Sequence, residues 1–253
     1  MIKISIIGSG NVAQHLITAF NKSEEVQIVQ IFSRKKPINS FAPEIEWITD
    51  WEKLLPVDVF IIAVSDDAIA EVSQKITLIN QLVVHTSGSV ALEKISNHNR
   101  RGVFYPLQTF TKGKEVDFSK IPICIETEFS ADLEVLRKLA QKLSQKTFLI
   151  NSEQRKSLHV AAVFVNNFVN HLYQLGNEIC QENQIPFGIL EALINETSSK
   201  IATLTPQEAQ TGPAKRNDQL TIDAHLKFLE NDFTKQSIYK LLTQSIQENE
   251  QKL

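Results

Sequence analysis

Hydrophobic positions divide the chain into two halves with different periods. Up to about residue 150, short β-branched runs alternate with stretches whose apolar residues recur every three or four positions, as a mostly parallel sheet with crossover helices requires. Strands are predicted at 2–7, 26–32, near Trp47, 57–64, 82–86, 103–105, 121–126 and 147–150, with helices at 12–21, 67–76, 90–96 and 130–145. The run 57–64 is almost unbroken apolar sequence, which marks a strand covered on both faces at the middle of the sheet. Beyond Asn151 the pattern is helical. Ser152 is the expected N-cap of a long helix reaching about Asn183, with Glu153 favouring the dipole of its first turn. Its apolar residues include Leu158, Ala161, Ala162, Val165, Phe168, Val169, Leu172, Tyr173 and Leu175, a stripe wide enough to need neighbours on several sides. Further helices are predicted at 187–203, 219–230 and 233–250, with breaks at Thr205-Pro206 and Thr211-Gly212-Pro213. The expected fold class is α/β, a doubly wound parallel sheet over residues 1–151 followed by an all-α domain over 152–253.

The first strand runs directly into Gly8-Ser9-Gly10-Asn11-Val12-Ala13, a G-x-G-x-x-A turn that opens an amphipathic helix. This is the Rossmann-type arrangement for a dinucleotide pyrophosphate. Gly8 permits the tight turn, Gly10 lets the backbone approach phosphates without a Cβ, and Ala13 keeps helix and strand close. The helix beginning near Asn11 offers unpaired N–H groups to the anion. A plain βαβ turn is the competing account, and the strand-helix-strand context favours the nucleotide. The second strand then ends Ile31-Phe32-Ser33-Arg34-Lys35-Lys36, with no carboxylate for a ribose 2′-hydroxyl. Arg34, backed by Lys35 and Lys36, and the hydroxyl of Ser33 suit a 2′-phosphate instead, so NADP is expected over NAD. The alternative is a solvated basic turn.

Composition narrows the partners. The net charge of −3, from 26 basic and 29 acidic side chains, gives no electrostatic case for nucleic acid or an anionic membrane. Cys124 and Cys180 form neither a metal-ligand spacing nor a disulfide framework. The N-terminal apolar run is too short for a signal-peptide core and no later run approaches a membrane span. A cytoplasmic protein acting on a small molecule is the resulting expectation.

Other polar groups fall where ligands of doubly wound sheets bind, beyond the carboxyl ends of the strands. Val64 and Ser65 end the central strand and are expected beside the cofactor, although Ser65 or Asp66 also serves as the next N-cap. Ser87 follows the next strand, where its hydroxyl either meets nicotinamide or substrate, or caps a turn. Gln108 lies in Tyr105-Pro106-Leu107-Gln108-Thr109-Phe110, a proline-stiffened strand exit suited to orienting substrate, or else to covering the sheet edge. On the long helix His159, Asn166 and Asn170 share one face at α-helical spacing, with Val163 between them. Such polar groups line a cleft or are satisfied inside the core.

With these residues in place, the whole chain resembles the Rossmann reductases with all-helical C-terminal domains, including pyrroline-5-carboxylate reductase, β-hydroxyacid dehydrogenases and deazaflavin-dependent NADP oxidoreductases. The segments from Tyr105 to Phe110, from His159 to Asn167, and from Thr211 to Asp218 followed by His225-Leu226 are similar to a subfamily of NADP oxidoreductases with a C-terminal helical domain of unknown function. The resemblance implies a homodimer paired through the helical half, an active site near the domain junction, and Lys215 and Arg216 on a loop that approaches it or merely faces solvent. β-Hydroxyacid dehydrogenases carry a catalytic lysine three residues before an Asn-Asn pair, and here that position is Val163. His159, one turn earlier, is then the candidate proton donor for reduction of a small carbonyl or imine, with substrate against Asn166. The alternative function is NADP(H) binding without catalysis, as a sensor or regulatory module.

Overall fold

The structure, a computed structural model, describes residues 1–35 and 42–251. All eight predicted strands form: β1 (Ile2–Ile7), β2 (Val26–Phe32), β3 (Glu46–Ile48), β4 (Val59–Ile62), β5 (Leu82–His85), β6 (Arg100–Pro106), β7 (Ile123–Thr127) and β8 (Thr147–Leu149). They make one sheet in the order β3-β2-β1-β4-β5-β6-β7-β8. Every neighbouring pair is parallel except β6 and β7, which run antiparallel with Tyr105 opposite Cys124. A parallel return needs a crossover long enough to carry the chain back to its starting edge. Residues 107–122 contain only a 3-10 turn at Phe118–Lys120, so the chain comes straight back alongside β6.

Helices α1 (Asn11–Asn21), α2 (Ile69–Gln74) and α3 (Ser130–Gln141) flank the sheet. The helix expected at 90–96 is reduced to a 3-10 turn at Leu92–Lys94. The Ser87 hydroxyl oxygen accepts the N–H groups of Ser89 and Val90 there, a local bond that competes with helix formation. β4 is buried on both faces, as its apolar run requires. Val59 and Ile61 pack with Leu16, Phe20 and Leu136, whereas Phe60 and Ile62 pack with Phe32, Ile69 and Ile76.

The chain divides into two compact units, Met1–Val163 and Phe164–Leu253. Helix α4 (Ser152–Ala162) therefore belongs to the sheet unit, one helix beyond the boundary expected at 151/152. The reason is electrostatic. Arg155, 1% exposed, pairs with Glu126 of β7 and donates to the Val90 carbonyl at 2.5 Å. Asn151, not Ser152, caps α4 through a capping box with Gln154. Ser152 instead bonds Glu126 through its N–H (2.8 Å) and hydroxyl, and accepts the N–H of Leu92 (3.1 Å).

The second unit contains α5 (Val169–Glu182), α6 (Glu191–Lys200), α7 (Pro206–Ala209), α8 (Gln219–Phe228) and α9 (Phe233–Gln251). α7 occupies the expected Thr205-Pro206 break, with Thr205 and Glu208 forming its capping box. Between α4 and α5 the backbone is π-helical over Val163–Phe168. Bonding of the i→i+5 type widens the turn, so the α-helical spacing used to align His159, Asn166 and Asn170 does not carry through this stretch.

Candidate nucleotide-binding site

β1 delivers Gly8 to the carboxyl edge of the sheet with φ +131°, a conformation open to glycine. A Cβ there would overlap the carbonyl oxygen of Ala63, so the missing side chain also lets the ends of β1 and β4 close together. The Gly8 N–H donates to the Phe32 carbonyl (2.9 Å) and the Ala63 N–H to that of Ile7 (2.8 Å), tying three strand ends into one rim. Nothing lies within 4 Å of a Cβ built on Gly10, which leaves open space at the start of α1. Gly10 is the extended N-cap, and no side chain caps the helix. Its first N–H groups thus border the opening, the arrangement that favours an anion.

A cavity of about 860 Å³ extends from this turn. Every residue expected to bind cofactor lines it: Gly8, Ser9, Gly10, Asn11 and Val12 at the turn, Ser33 and Arg34 after β2, Val64 and Ser65 after β4. Arg34 is exposed, while the buried Ser33 donates its hydroxyl to the Lys35 carbonyl (2.8 Å) and so shapes the turn that presents Arg34. Lys36, the third basic residue of that motif, lies outside the described residues. Neither Ser65 nor Asp66 caps the following turn. Ser65 makes no cap bond, and the Asp66 carboxylate accepts from the Ser89 hydroxyl (2.5 Å).

Gln108 and Phe110 also line the cavity. Their segment is strapped to α1: Asn11 Nδ2 donates to the Phe110 carbonyl (3.1 Å), and His15 Nε2 lies 3.0 Å from that of Thr111. The carboxamide oxygen of Gln108 takes the N–H of Thr109 (2.8 Å), which orients the side chain from one end. Sequence reasoning missed Trp51, Thr49 and Lys75, which also line the cavity. Trp51 stacks on Phe32 with ring centroids 3.6 Å apart, giving the Arg34 end a flat apolar surface. The signal was a tryptophan four positions beyond Trp47, just after the short strand.

Of the residues expected to carry chemistry, Gln108 lines this cavity, whereas Ser87, His159 and Asn166 are not among its lining residues. Ser87 is buried and its hydroxyl is engaged as a turn cap. His159, half-buried in the last turn of α4, sits with Nδ1 3.4 Å from the Tyr105 hydroxyl. Asn166 is exposed on the π-helical turn of the second unit. Lys215 and Arg216 also lie in that unit, and Lys215 Nζ is 3.6 Å from a Glu250 carboxylate oxygen. Behind Ser87, His85 is fully buried and its Nδ1 accepts the Ser87 N–H (3.2 Å). Burial first, then the Arg155 guanidinium, lowers its pKa to about 4. Burial likewise pushes the Tyr105 phenol up and the Cys124 thiol to about 11. Among the described residues no cluster of His, Cys, Asp or Glu could hold a metal, and no helix is long and apolar enough to cross a membrane.

Comparison with known proteins follows the same outline. Residues 121–246 match the Domain of unknown function (DUF2520). Among solved structures, the chain is 41% identical to a "putative NADP oxidoreductase" from Bacteroides fragilis, covering 98% of both chains with a TM-score of 0.87. A Thermotoga maritima protein is 21% identical over 98% of each chain (TM-score 0.77). An imine reductase from Myxococcus stipitatus in complex with NADP+ is 15% identical over 97% of this chain and 93% of its own (TM-score 0.67), a likeness of fold. Among curated proteins no sequence matches. The chain belongs to the family of Rossmann-type proteins that carry this C-terminal domain of unknown function.

Proposed function

We propose that the chain is an NADP(H)-dependent oxidoreductase that reduces a small carbonyl or imine. The observation that carries this reading is the single cavity joining the uncapped start of α1, Arg34 and Gln108 along the carboxyl edge of the sheet. The description of the Bacteroides relative supports the choice of NADP. Residues 8–12 hold the diphosphate through backbone N–H groups, and Arg34 binds the 2′-phosphate through its planar fork. Val64 and Ser65 border the ribose, and Gln108 orients the nicotinamide end. Bound NADPH supplies the hydride. His159, as imidazolium, gives the Nε2 proton to the carbonyl oxygen as the hydride reaches carbon, and is left neutral. The helical unit pairs with that of a second copy, which covers its exposed phenylalanines and leucines.

The decisive experiment is calorimetric titration of wild type and Arg34→Ala with NADPH and NADH. Wild type prefers NADPH, and the variant loses at least about tenfold in NADPH affinity while NADH binding holds. An unchanged preference overturns the cofactor assignment. In a panel of carbonyls and imines, His159→Ala loses about two orders of magnitude in turnover with nucleotide affinity unchanged. Tight NADPH binding with no oxidation across the panel would favour a binding-only sensor, the reading that Val163 at the expected lysine position supports.

A further inference from the structure

Three residues from separate elements of the sheet unit meet beyond the ends of β5 and β6. Tyr105, near the end of β6, is 9% exposed, and its hydroxyl lies 3.4 Å from Nδ1 of His159 on α4. The rings are edge-on, with centroids 6.4 Å apart and an interplanar angle of 66°. Gly88, in the loop after β5, fills the remaining corner. A Cβ on it would stand 2.7 Å from both His159 Nδ1 and Tyr105 Cζ, and 2.8 Å from the Tyr105 oxygen, so a side chain there would wedge the pair apart.

Both ends of the pair are anchored. Tyr105 sits in the sheet opposite Cys124 of β7. His159 rides on the helix pinned one turn earlier by Arg155 and Glu126. A buried phenol needs an acceptor, and His159 Nδ1 is the one the structure offers among the described residues. Burial raises the phenol's pKa, followed by Cys124 and Asp66, so it stays protonated as a donor. A separation of 3.4 Å is loose for such a bond, and hydrogen bonds of this kind tighten when substrate is in place.

We propose that Tyr105 is a positioning residue for His159: its hydroxyl occupies Nδ1, so that Nε2 is the nitrogen presented to substrate, and Gly88 is the side-chain-free position that allows the contact. In the neutral ring Tyr105 donates to Nδ1 and the proton resides on Nε2. In the imidazolium the phenol oxygen accepts from Nδ1–H, and the Nε2 proton is the one available for transfer. Which nitrogen of a histidine is protonated is set by the bond the other nitrogen makes. This inference rests on the role proposed for His159, and its test is kept independent of turnover.

The test is nitrogen-15 NMR of the neutral imidazole rings in the full-length protein at alkaline pH, with His159→Gln to assign the signals. In wild type, Nε2 is protonated and the unprotonated Nδ1 resonance is displaced toward the hydrogen-bonded position. In Tyr105→Phe that displacement disappears and the Nδ1–H tautomer becomes populated. Gly88→Ala, which keeps the phenol but forces the rings apart, gives the same loss. Thermal unfolding of both variants verifies that they remain folded. A His159 signal in Tyr105→Phe identical to wild type overturns the pairing, even if His159→Ala abolishes turnover. A lost displacement together with full turnover in His159→Ala retains the pairing and removes the catalytic reading.

Discussion

The two units of this chain spend their hydrophobic residues differently. In the sheet unit, Ile4, Ile6, Leu16, Phe20, Ile61, Val84 and Leu136 are completely buried. Among the described residues of the helical unit the buried apolar ones are Cys180, Ala214, Ile222 and Leu229, while Phe164, Val165, Phe168, Leu193, Leu220 and Phe233 are each at least half exposed. Phe164, Phe168 and Leu172 follow one another at four-residue steps, and the two phenylalanine rings are edge-to-face at 5.1 Å. Contiguous exposed apolar surface marks an interaction site. The comparison teaches that one unit is held by its own core, whereas the other presents surface suited to burial by assembly.

The largest expected effect breaks that contrast directly. If the helical units pair as proposed, joint substitution of Phe164 and Phe168 by Glu weakens that pairing by at least about 4 kcal/mol, at roughly 2 kcal/mol per buried aromatic anchor, or about a thousandfold in Kd. Light scattering over a dilution series reads it as a fall from twice the chain mass to once. A mass of one chain in wild type, or an unchanged mass in the variant, would remove the exposed phenylalanines as a pairing surface.

Glu126→Gln probes the sheet unit, because it leaves the Arg155 guanidinium buried without its carboxylate partner. The expected loss is about 3 kcal/mol in denaturant unfolding. Adding Arg155→Met to Glu126→Gln, which removes the charge and keeps the volume, should recover most of it. Equal losses in the two variants would argue that packing, and not the uncompensated charge, fixes α4 to the sheet.

His85 makes the same unit sensitive to acid. Its folded pKa of about 4 lies below the ordinary 6.5, so between those values the unfolded chain binds the extra proton. Stability is therefore complete above about pH 6.5 and falls as the pH drops toward 4, by about 3 kcal/mol. In His85→Gln the slope of unfolding free energy across this window flattens relative to wild type. The smallest effect concerns Cys124, 2% exposed with a thiol pKa near 11, which should resist alkylation at pH 8 until the sheet unit unfolds.

Much of the sheet unit was legible in one dimension because its determinants are local. β-Branched runs, the glycine turn and the basic exit of β2 each read from contiguous residues, and the nine cofactor candidates line one cavity. Ser87 and Ser65 show the limit. Each is a small hydroxyl after a strand, yet Ser87 accepts two backbone N–H groups while Ser65 makes no cap bond and faces the cavity. Only the path of the following turn separates them. The alignment of His159 with Asn166 assumed uninterrupted α-helical spacing, which the π-helical turn at Val163–Phe168 replaces.

The order of residues by itself determined which segments become strands, where the chain turns on glycine, and that a cation stands at the end of β2. Tertiary structure alone decided that β7 runs against β6, that Arg155 and Glu126 bind α4 to the sheet, and that Tyr105, Gly88 and His159 meet. Local patterning depends on neighbours a few residues apart, which a sequence displays. The Arg155–Glu126 and Tyr105–His159 contacts join groups 29 and 54 residues apart, and it is the closed fold that brings them into bonding distance.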